Sequence, residues 1–374
     1  MDKSNDNVQL ENKGTISEMR NKKPKKRNKV LKIIGIALLS LALIFSGMFL
    51  YVRSHPGIII GFIQDALYKG NPINSFEPFN PQGKIVKSNG ILYVNDIKYA
   101  DEYPNSYLDI SYPNTDTTIK RPTIVYFHGG GYFGGDKAMG DPMAVNDDAN
   151  MLFNRLVENG YNLVNVNYAL VPDYKFPVPV IQMNQAINFL VDNSEKYNLD
   201  MENVVVMGSS AGAILTSQYG AIITNKDYAD SFNIHPLLTT KEVKALVIDD
   251  GPIKTDELNF ATRVIVGHYL GIGTNEFKSS KVADQYNTIL HVTGDYPPSF
   301  ITAANGDGFP KDMKALSDKL TSYQIDNDYF YLDKAHGKIA HGYLANIRTD
   351  KNAQEGFGRL VKFIDKYTKG SSAE

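Results

Sequence analysis

The pattern of apolar and polar positions changes character twice along the chain. Residues 1–32 form a basic tail, of which 1–19 are polar and read as disordered. Residues 33–52 then run 20 positions without a charge. As a helix that stretch reaches about 30 Å, the thickness of a bilayer's hydrocarbon core. A connector over residues 53–83 is broken by Pro and Gly, with 58–68 reading as a short amphipathic helix at a membrane surface. From residue 84 to about 370, short β-rich runs alternate with helical stretches. Residues 91–100 and 107–112 predict antiparallel strands. Apolar runs at 123–127, 163–167, 204–207, 245–248, 300–304 and 329–332 predict further strands, most with helices between them. Such alternation defines an α/β class with a mostly parallel central sheet and helices on both faces. Phe357, Leu360, Val361 and Ile364 fall at i, i+3, i+4 and i+7, so the last helix presses one stripe onto that sheet.

Composition narrows the chemistry. The 374 residues include no Cys and no Trp, with 43% hydrophobic and 21% charged positions. That excludes a disordered chain, a disulfide framework, a thiolate metal site and a catalytic thiol, so a covalent nucleophile must be an oxygen or an amine. The net charge of −2 points to no nucleic-acid partner. It is, however, a sum of opposites. Residues 1–32 hold ten Lys/Arg and four Asp/Glu (+6), which leaves 29 basic and 37 acidic residues (−8) in the remainder. Eight of the basic residues cluster between Arg20 and Lys32, on the N-terminal side of the uncharged run. This arrangement predicts a single-pass cell-membrane protein with its N-terminus in the cytoplasm and its bulk outside. A fully apolar core helix would have no polar face for solvent. A cleavable signal peptide would show an apolar core of about 7–15 residues and an A-x-A-like site, absent here.

Two glycine-rich motifs carry the chemical signal. Gly208-Ser209-Ser210-Ala211-Gly212 lies between the 204–207 strand and a helical run over 213–223. Small residues two before and two after a serine permit a sharp strand-to-helix turn that lifts the hydroxyl clear of the sheet. Only Ser210 has glycines at both positions. Ser209 is its neighbour, and the helix that follows aims its positive end at any developing oxyanion. After the 123–127 strand comes His128-Gly129-Gly130-Gly131-Tyr132. Consecutive glycines let backbone N–H groups converge on one point, as a preformed oxyanion hole requires. A phosphate-cradling loop would need a Gly-Lys-Ser/Thr ending, whereas Gly134-Gly135-Asp136-Lys137 runs into Ala138. His128 is read as a structural support of the loop.

With these motifs the chain resembles the α/β-hydrolase superfamily, and within it the hormone-sensitive-lipase-like esterases with an HGGG loop. Asn167-Tyr168-Ala169-Leu170-Val171-Pro172 and the following Lys175-Phe176-Pro177 are similar to that group's tyrosine–proline segment and Phe-Pro. The resemblance covers roughly residues 84–370. Two departures stand out: Ser209 replaces the usual acidic residue before the nucleophile, and Ala213 replaces a second glycine after Gly212.

The resemblance implies an α/β-hydrolase fold and a triad in the order Ser, acid, His. Ser210 is then the nucleophile. Asp307, in Asn305-Gly306-Asp307 beyond the 300–304 strand, is the expected acid, with Asp249 and Asp250 as the fallback at an earlier strand end. His341, in His341-Gly342-Tyr343, is the expected base and His336 the alternative. Backbone N–H groups of Gly130, Gly131 and Ala211 form the expected oxyanion hole. Residues 251–287 are expected to supply a lid and acyl pocket. No cofactor or metal is expected, since His336 and His341 share no helical face and lack a third ligand. The implied activity is a serine carboxylesterase acting on short-chain or acetyl esters, small or glycan-linked. A lipase or peptidase of the same fold and a catalytically silent binding module are the alternatives.

Overall fold

The computed structural model describes residues 39–41, 43–48, 50–51, 55, 57–69, 73–76, 83–138 and 149–370. The chain divides into two units, Met1–His55 and Pro56–Glu374. In the first unit the described parts of 39–51 are helical, and Leu39, Leu43, Ile44 and Phe45 are each more than 60% exposed. The expected 33–52 span lies partly outside the described residues and the basic tail of 1–32 wholly so. Among the described residues no helix is long and apolar enough to cross a membrane.

The second unit opens with helix α1 (Gly57–Tyr68), then β1 (Lys84–Val86), β2 (Leu92–Lys98), β3 (Tyr107–Tyr112) and β4 (Pro122–Phe127). α2 (Ala149–Glu158), β5 (Asn162–Val166), α3 (Val178–Asp192) and the short α4 (Ser194–Tyr197) follow. β6 (Asp200–Ser209), α5 (Ala211–Ile222), α6 (Lys226–Asp230) and β7 (Val243–Asp249) come next. The chain ends with α7 (Phe260–Leu270), α8 (Lys281–Tyr286), β8 (Ser299–Ala303), α9 (Pro310–Ser322), β9 (Asn327–Tyr331) and α10 (Lys351–Thr368). The nine strands form one sheet in the order β1-β2-β3-β5-β4-β6-β7-β8-β9. β1, β2, β3 and β5 pair antiparallel, and from β5 onward every pairing is parallel.

Strand alternation explains the two-faced core. On β4, Val125 and Phe127 face one apolar cluster while Ile124 and Tyr126 face the other. The first cluster takes Met183 of α3, Leu215 of α5 and Leu316 of α9. The second takes Phe153 of α2 and Leu360 and Ile364 of α10. Phe357 and Val361 pack at the margin of the second cluster, so the predicted α10 stripe is the one that meets the sheet. Parallel register then levels the strand ends. Phe127 pairs with Gly208, Ser209 with Asp249, and Asp249 with Thr302. The loops leaving β4, β6, β7 and β8 therefore emerge along one edge, at the carboxyl ends where open α/β sheets place their sites.

The fold begins earlier than the strand pattern indicates. Part of the expected connector, from residue 56, belongs to the second unit, and α1 buries Ile60 and Gln64 in it. A buried leucine on a stripe of this kind is worth more than its exposed neighbours. Leu360→Ala should cost about 2–5 kcal/mol, whereas Lys362→Ala on the exposed side should stay within about 0.5 kcal/mol, as read by chemical denaturation.

Candidate active site

The site is built on close approaches that only glycine allows. A Cβ on Gly208 would lie 2.2 Å from the Gly212 carbonyl oxygen, and one on Gly212 would lie 1.9 Å from the Phe127 carbonyl oxygen. α5 can therefore start directly against the end of β4. The turn between β6 and α5 is strained: Ser210 has φ 55° and ψ −114°, a conformation that costs a non-glycine residue ~1–3 kcal/mol. Its N–H donates to the Asp249 carbonyl at 2.8 Å and its carbonyl accepts from Ile214 at 3.2 Å, which holds both flanks of the turn. Ala211 is the first residue of α5, so its N–H has no acceptor within the helix.

The glycine loop beyond β4 is held from below. His128 is buried, its Nδ1 meets the Gly129 carbonyl at 2.7 Å, and its ring stacks on Tyr168 at 4.2 Å. Tyr168 in turn donates to the His128 carbonyl at 2.7 Å. Burial holds the imidazole pKa down at about 4, partly opposed by the Gly129 carbonyl. His128 is thus a neutral support, as its sequence context suggested. Gly130 (φ 101°) closes the turn, its carbonyl accepting from Phe133 at 3.1 Å and Gly134 at 3.0 Å. Gly131 (φ 60°) faces the site, and a Cβ there would lie 2.7 Å from the Phe133 ring.

A buried charge cluster, given no role by the sequence pattern, anchors the far end of this loop. Lys137 lies 2.8 Å from both Asp96 and Asp109, and Tyr93 donates to the Asp109 carboxylate. Burial pushes the Asp109 carboxyl up, while Lys137 and the Tyr93 hydroxyl pull it back. The Lys137 amide also donates to Asn167 Oδ1 at 2.6 Å, tying the loop to the segment after β5. One lysine against two carboxylates must stay paired, because an uncompensated buried charge costs ~3–5 kcal/mol. The signal was present: Asp109 sits in the middle of an apolar strand run, where a charge needs a partner.

Ser210, His341, Gly131, Ala211 and Asp307 all line one cavity of about 310 Å³. Its apolar walls include Phe133, Ile214 and Phe309, and α7 adds Ile265 and Val266. The segment 251–287 therefore contributes a wall. Tyr269 of α7 stacks on Tyr132 at 3.5 Å with rings 6° apart, joining that wall to the glycine loop.

The acid facing the histidine differs from the first expectation. His341 Nδ1 lies 2.8 Å from Asp250 Oδ2. The Asp250 carboxylate is fully buried and also accepts from the N–H groups of Ala304 (3.1 Å) and Phe309 (2.7 Å). Its own backbone is left-handed (φ 57°), which turns the side chain beneath Gly308, where a Cβ would come within 2.2 Å of Oδ2. Asp307 meets His341 differently, accepting its backbone N–H at 2.8 Å. The expectation that Asp307 holds the imidazole is thus corrected: Asp250, one of the two fallback residues with Asp249, is the carboxylate on the His341 ring. His336 lies at the surface with Nδ1 3.0 Å from Asp333, outside the residues lining the cavity. Among the described residues no group of three or more His, Asp or Glu could hold a metal ion.

A mostly parallel sheet, a serine on a strained strand-to-helix turn and a carboxylate-bound histidine at the same sheet edge define an α/β-hydrolase fold. The chain belongs to the BD-FAE family, whose model matches residues 108–358. Among curated relatives, an arylesterase of Saccharolobus solfataricus is 28% identical over 255 residues, 65% of this chain and 75% of that one. An ethyl acetate hydrolase of Pseudomonas putida is 26% identical over 105 residues, 28% of this chain and 30% of that one. The chain spans about half the length, or less, of the first curated relatives it matches. Esterase B from Lactobacillus rhamnosis shares the fold at a TM-score of 0.64 and 16% identity, over 87% of this chain and 96% of its own.

The His128 shift sets a pH dependence. Its folded pKa of about 4 lies below the model-peptide value of 6.5, so the unfolded chain binds the extra proton first. The associated stability is complete above pH 6.5 and is lost as the pH falls toward 4, by ~3 kcal/mol. Denaturation curves at pH 7 and pH 4 should show that loss, and His128→Asn should remove it from the difference between the two.

Proposed function

We propose that this chain is a membrane-anchored serine carboxylesterase that cleaves short-chain or acetyl esters through an acyl-enzyme, close to the hormone-sensitive-lipase-like esterases. The observation that carries the reading is the buried Asp250–His341 pair in the same cavity as Ser210. His341 takes the Ser210 proton as the hydroxyl attacks the ester carbonyl. Asp250 sets the tautomer that leaves Nε2 free to accept, and stabilises the imidazolium that forms. The N–H groups of Gly131 and Ala211 receive the oxyanion, with Gly130 shaping the turn that presents them; each such donor is worth ~3 kcal/mol. His341 returns the proton to the leaving alkoxide, and water activated by the same imidazole then releases the acid.

Short acyl groups suit a cavity of about 310 Å³ with apolar walls. The names of relatives, ethyl acetate hydrolase and acetyl esterase, agree with that size. Residues 33–52 serve as the anchor, with the basic cluster before them on the cytoplasmic side and the hydrolase unit outside the cell.

Ser210→Ala should abolish hydrolysis of p-nitrophenyl acetate and labelling by a fluorophosphonate probe. A folded wild-type protein that fails to label would instead mark a silent binding module. Asp250→Asn should lower kcat by ~10³–10⁴-fold. Asp307→Asn, which leaves an amide oxygen to accept the His341 N–H and removes only the charge, should cost less than about tenfold. A larger loss in Asp307→Asn than in Asp250→Asn would return the acid's role to Asp307.

A further inference from the structure

The Ser210 cavity is unevenly lined. Most of its walls are apolar, and among the described residues its lining holds one carboxylate, Asp307, and no Lys or Arg. Asp307 is exposed, whereas Asp250, which holds the imidazole, is fully buried. Gly306 and Gly308 stand on either side of Asp307, so neither chain neighbour shields the carboxylate with a side chain. One of its oxygens, Oδ1, accepts the His341 N–H at 2.8 Å. Among the described residues the other oxygen has no hydrogen-bond partner and no cation pairs with the group. Lys338, whose stem lies beside Gly306, forms no ion pair with it. Phe309, two residues on, also lines the cavity and sets its ring at 90° to that of His341, with centroids 5.6 Å apart.

Contact with His341 decides which part of an ester these two groups meet. In the proposed reaction His341 returns its proton to the leaving alkoxide, so the alcohol half of the ester lies on the histidine's side of the cavity. Asp307 bonds His341 and Phe309 packs on its ring, so both flank that alcohol. An unpaired carboxylate next to an aromatic ring suits a positively charged group: the first supplies opposite charge, the second a negative π-face. We propose that Asp307, together with Phe309, selects esters whose alcohol carries a cationic group, an ammonium a few bonds from the ester oxygen, over neutral esters of the same shape. Asp307 is then a specificity-determining residue whose carboxylate meets the substrate, while Asp250 alone holds the imidazole. An alcohol bearing a negative charge is disfavoured by the same group. The proposal deepens the esterase reading above and rests on it.

The test compares acetylcholine with 3,3-dimethylbutyl acetate, in which carbon replaces the quaternary nitrogen, and reads the ratio of their kcat/KM values on the full chain. Any loss of His341 positioning slows both esters alike and cancels in that ratio. For the wild-type protein the ratio should be about tenfold at low ionic strength and should shrink toward one in about 0.5 M NaCl. Asp307→Asn keeps an acceptor for the His341 N–H and should bring the low-salt ratio down to about threefold or less, the part that the Phe309 ring supplies. Turnover of the neutral ester with a wild-type ratio near one, a ratio that salt does not move, or the same ratio in wild type and Asp307→Asn overturns the proposal and leaves the esterase reading standing. The salt series needs no variant and so decides the matter even where the substitution impairs folding. Failure of the wild-type protein to turn over either ester overturns the esterase reading and this proposal with it.

Discussion

The contact on which the site depends is the one between Gly212 and the end of β4. The Phe127 carbonyl occupies the space a side chain at 212 would need, with a built Cβ only 1.9 Å away. Because α5 starts flush against β4, the turn that carries Ser210 and the loop that begins at His128 are fixed to each other by backbone. No flexible side chain mediates their spacing. A second glycine, at 208, lets the turn close on itself, and the strain at Ser210 is sustained by the sheet on one side and the helix on the other. The rest of the machinery is arranged around this fixed pair. β7 ends level with Ser209 and delivers Asp250, and the loop after β9 brings His341 over it.

Much of the fold was legible because the chemistry of strands is local. Runs of Val, Ile and Leu with short polar breaks mark most of the parallel strands within a residue or two, β6 starting four residues before its apolar run, and the 357–364 stripe marks the last helix. Ser210, His341 and the glycine loop were legible for a related reason, since each needs a special backbone that leaves glycines in the sequence. The acid was harder. Asp250-Gly251 and Asp307-Gly308 both follow strands, and both carboxylates bond His341. What separates them is which atom each reaches, the ring nitrogen or the backbone N–H. That is decided by the left-handed turn at Asp250 and the gap above Gly308, neither visible in composition or spacing.

Long-range polar contacts were the least legible. Gln64 bonds carbonyls 69 and 107 residues away, from a stretch whose Pro and Gly content reads as a connector. Lys137 is buried although lysine almost never is, and two aspartates on β2 and β3, with the Phe76 ring beneath the ammonium, account for it. Both residues act at a distance from the serine by holding the glycine loop, one at Phe133 and one at its far end. A loop rich in glycine is conformationally loose by nature. Its order here comes from neighbours: a stacked neutral histidine, an ion cluster and a glutamine from a helix that precedes the sheet.

The stack of Tyr132 on Tyr269 has a consequence for selectivity. The pocket wall on α7 and the turn at Gly131 are joined by that ring pair, and the Cγ2 of Ile265 lies 3.1 Å from where a Gly131 Cβ would be. Pocket width and the geometry of the proposed oxyanion hole are therefore not separate variables in this scaffold. Remodelling Ile265 or α7 to widen the cavity also shifts the Gly131 turn proposed to stabilise the reacting carbonyl. Under the proposed function, acyl preference and turnover rate drift together, and a broader substrate range in a descendant enzyme requires a compensating change in the glycine loop.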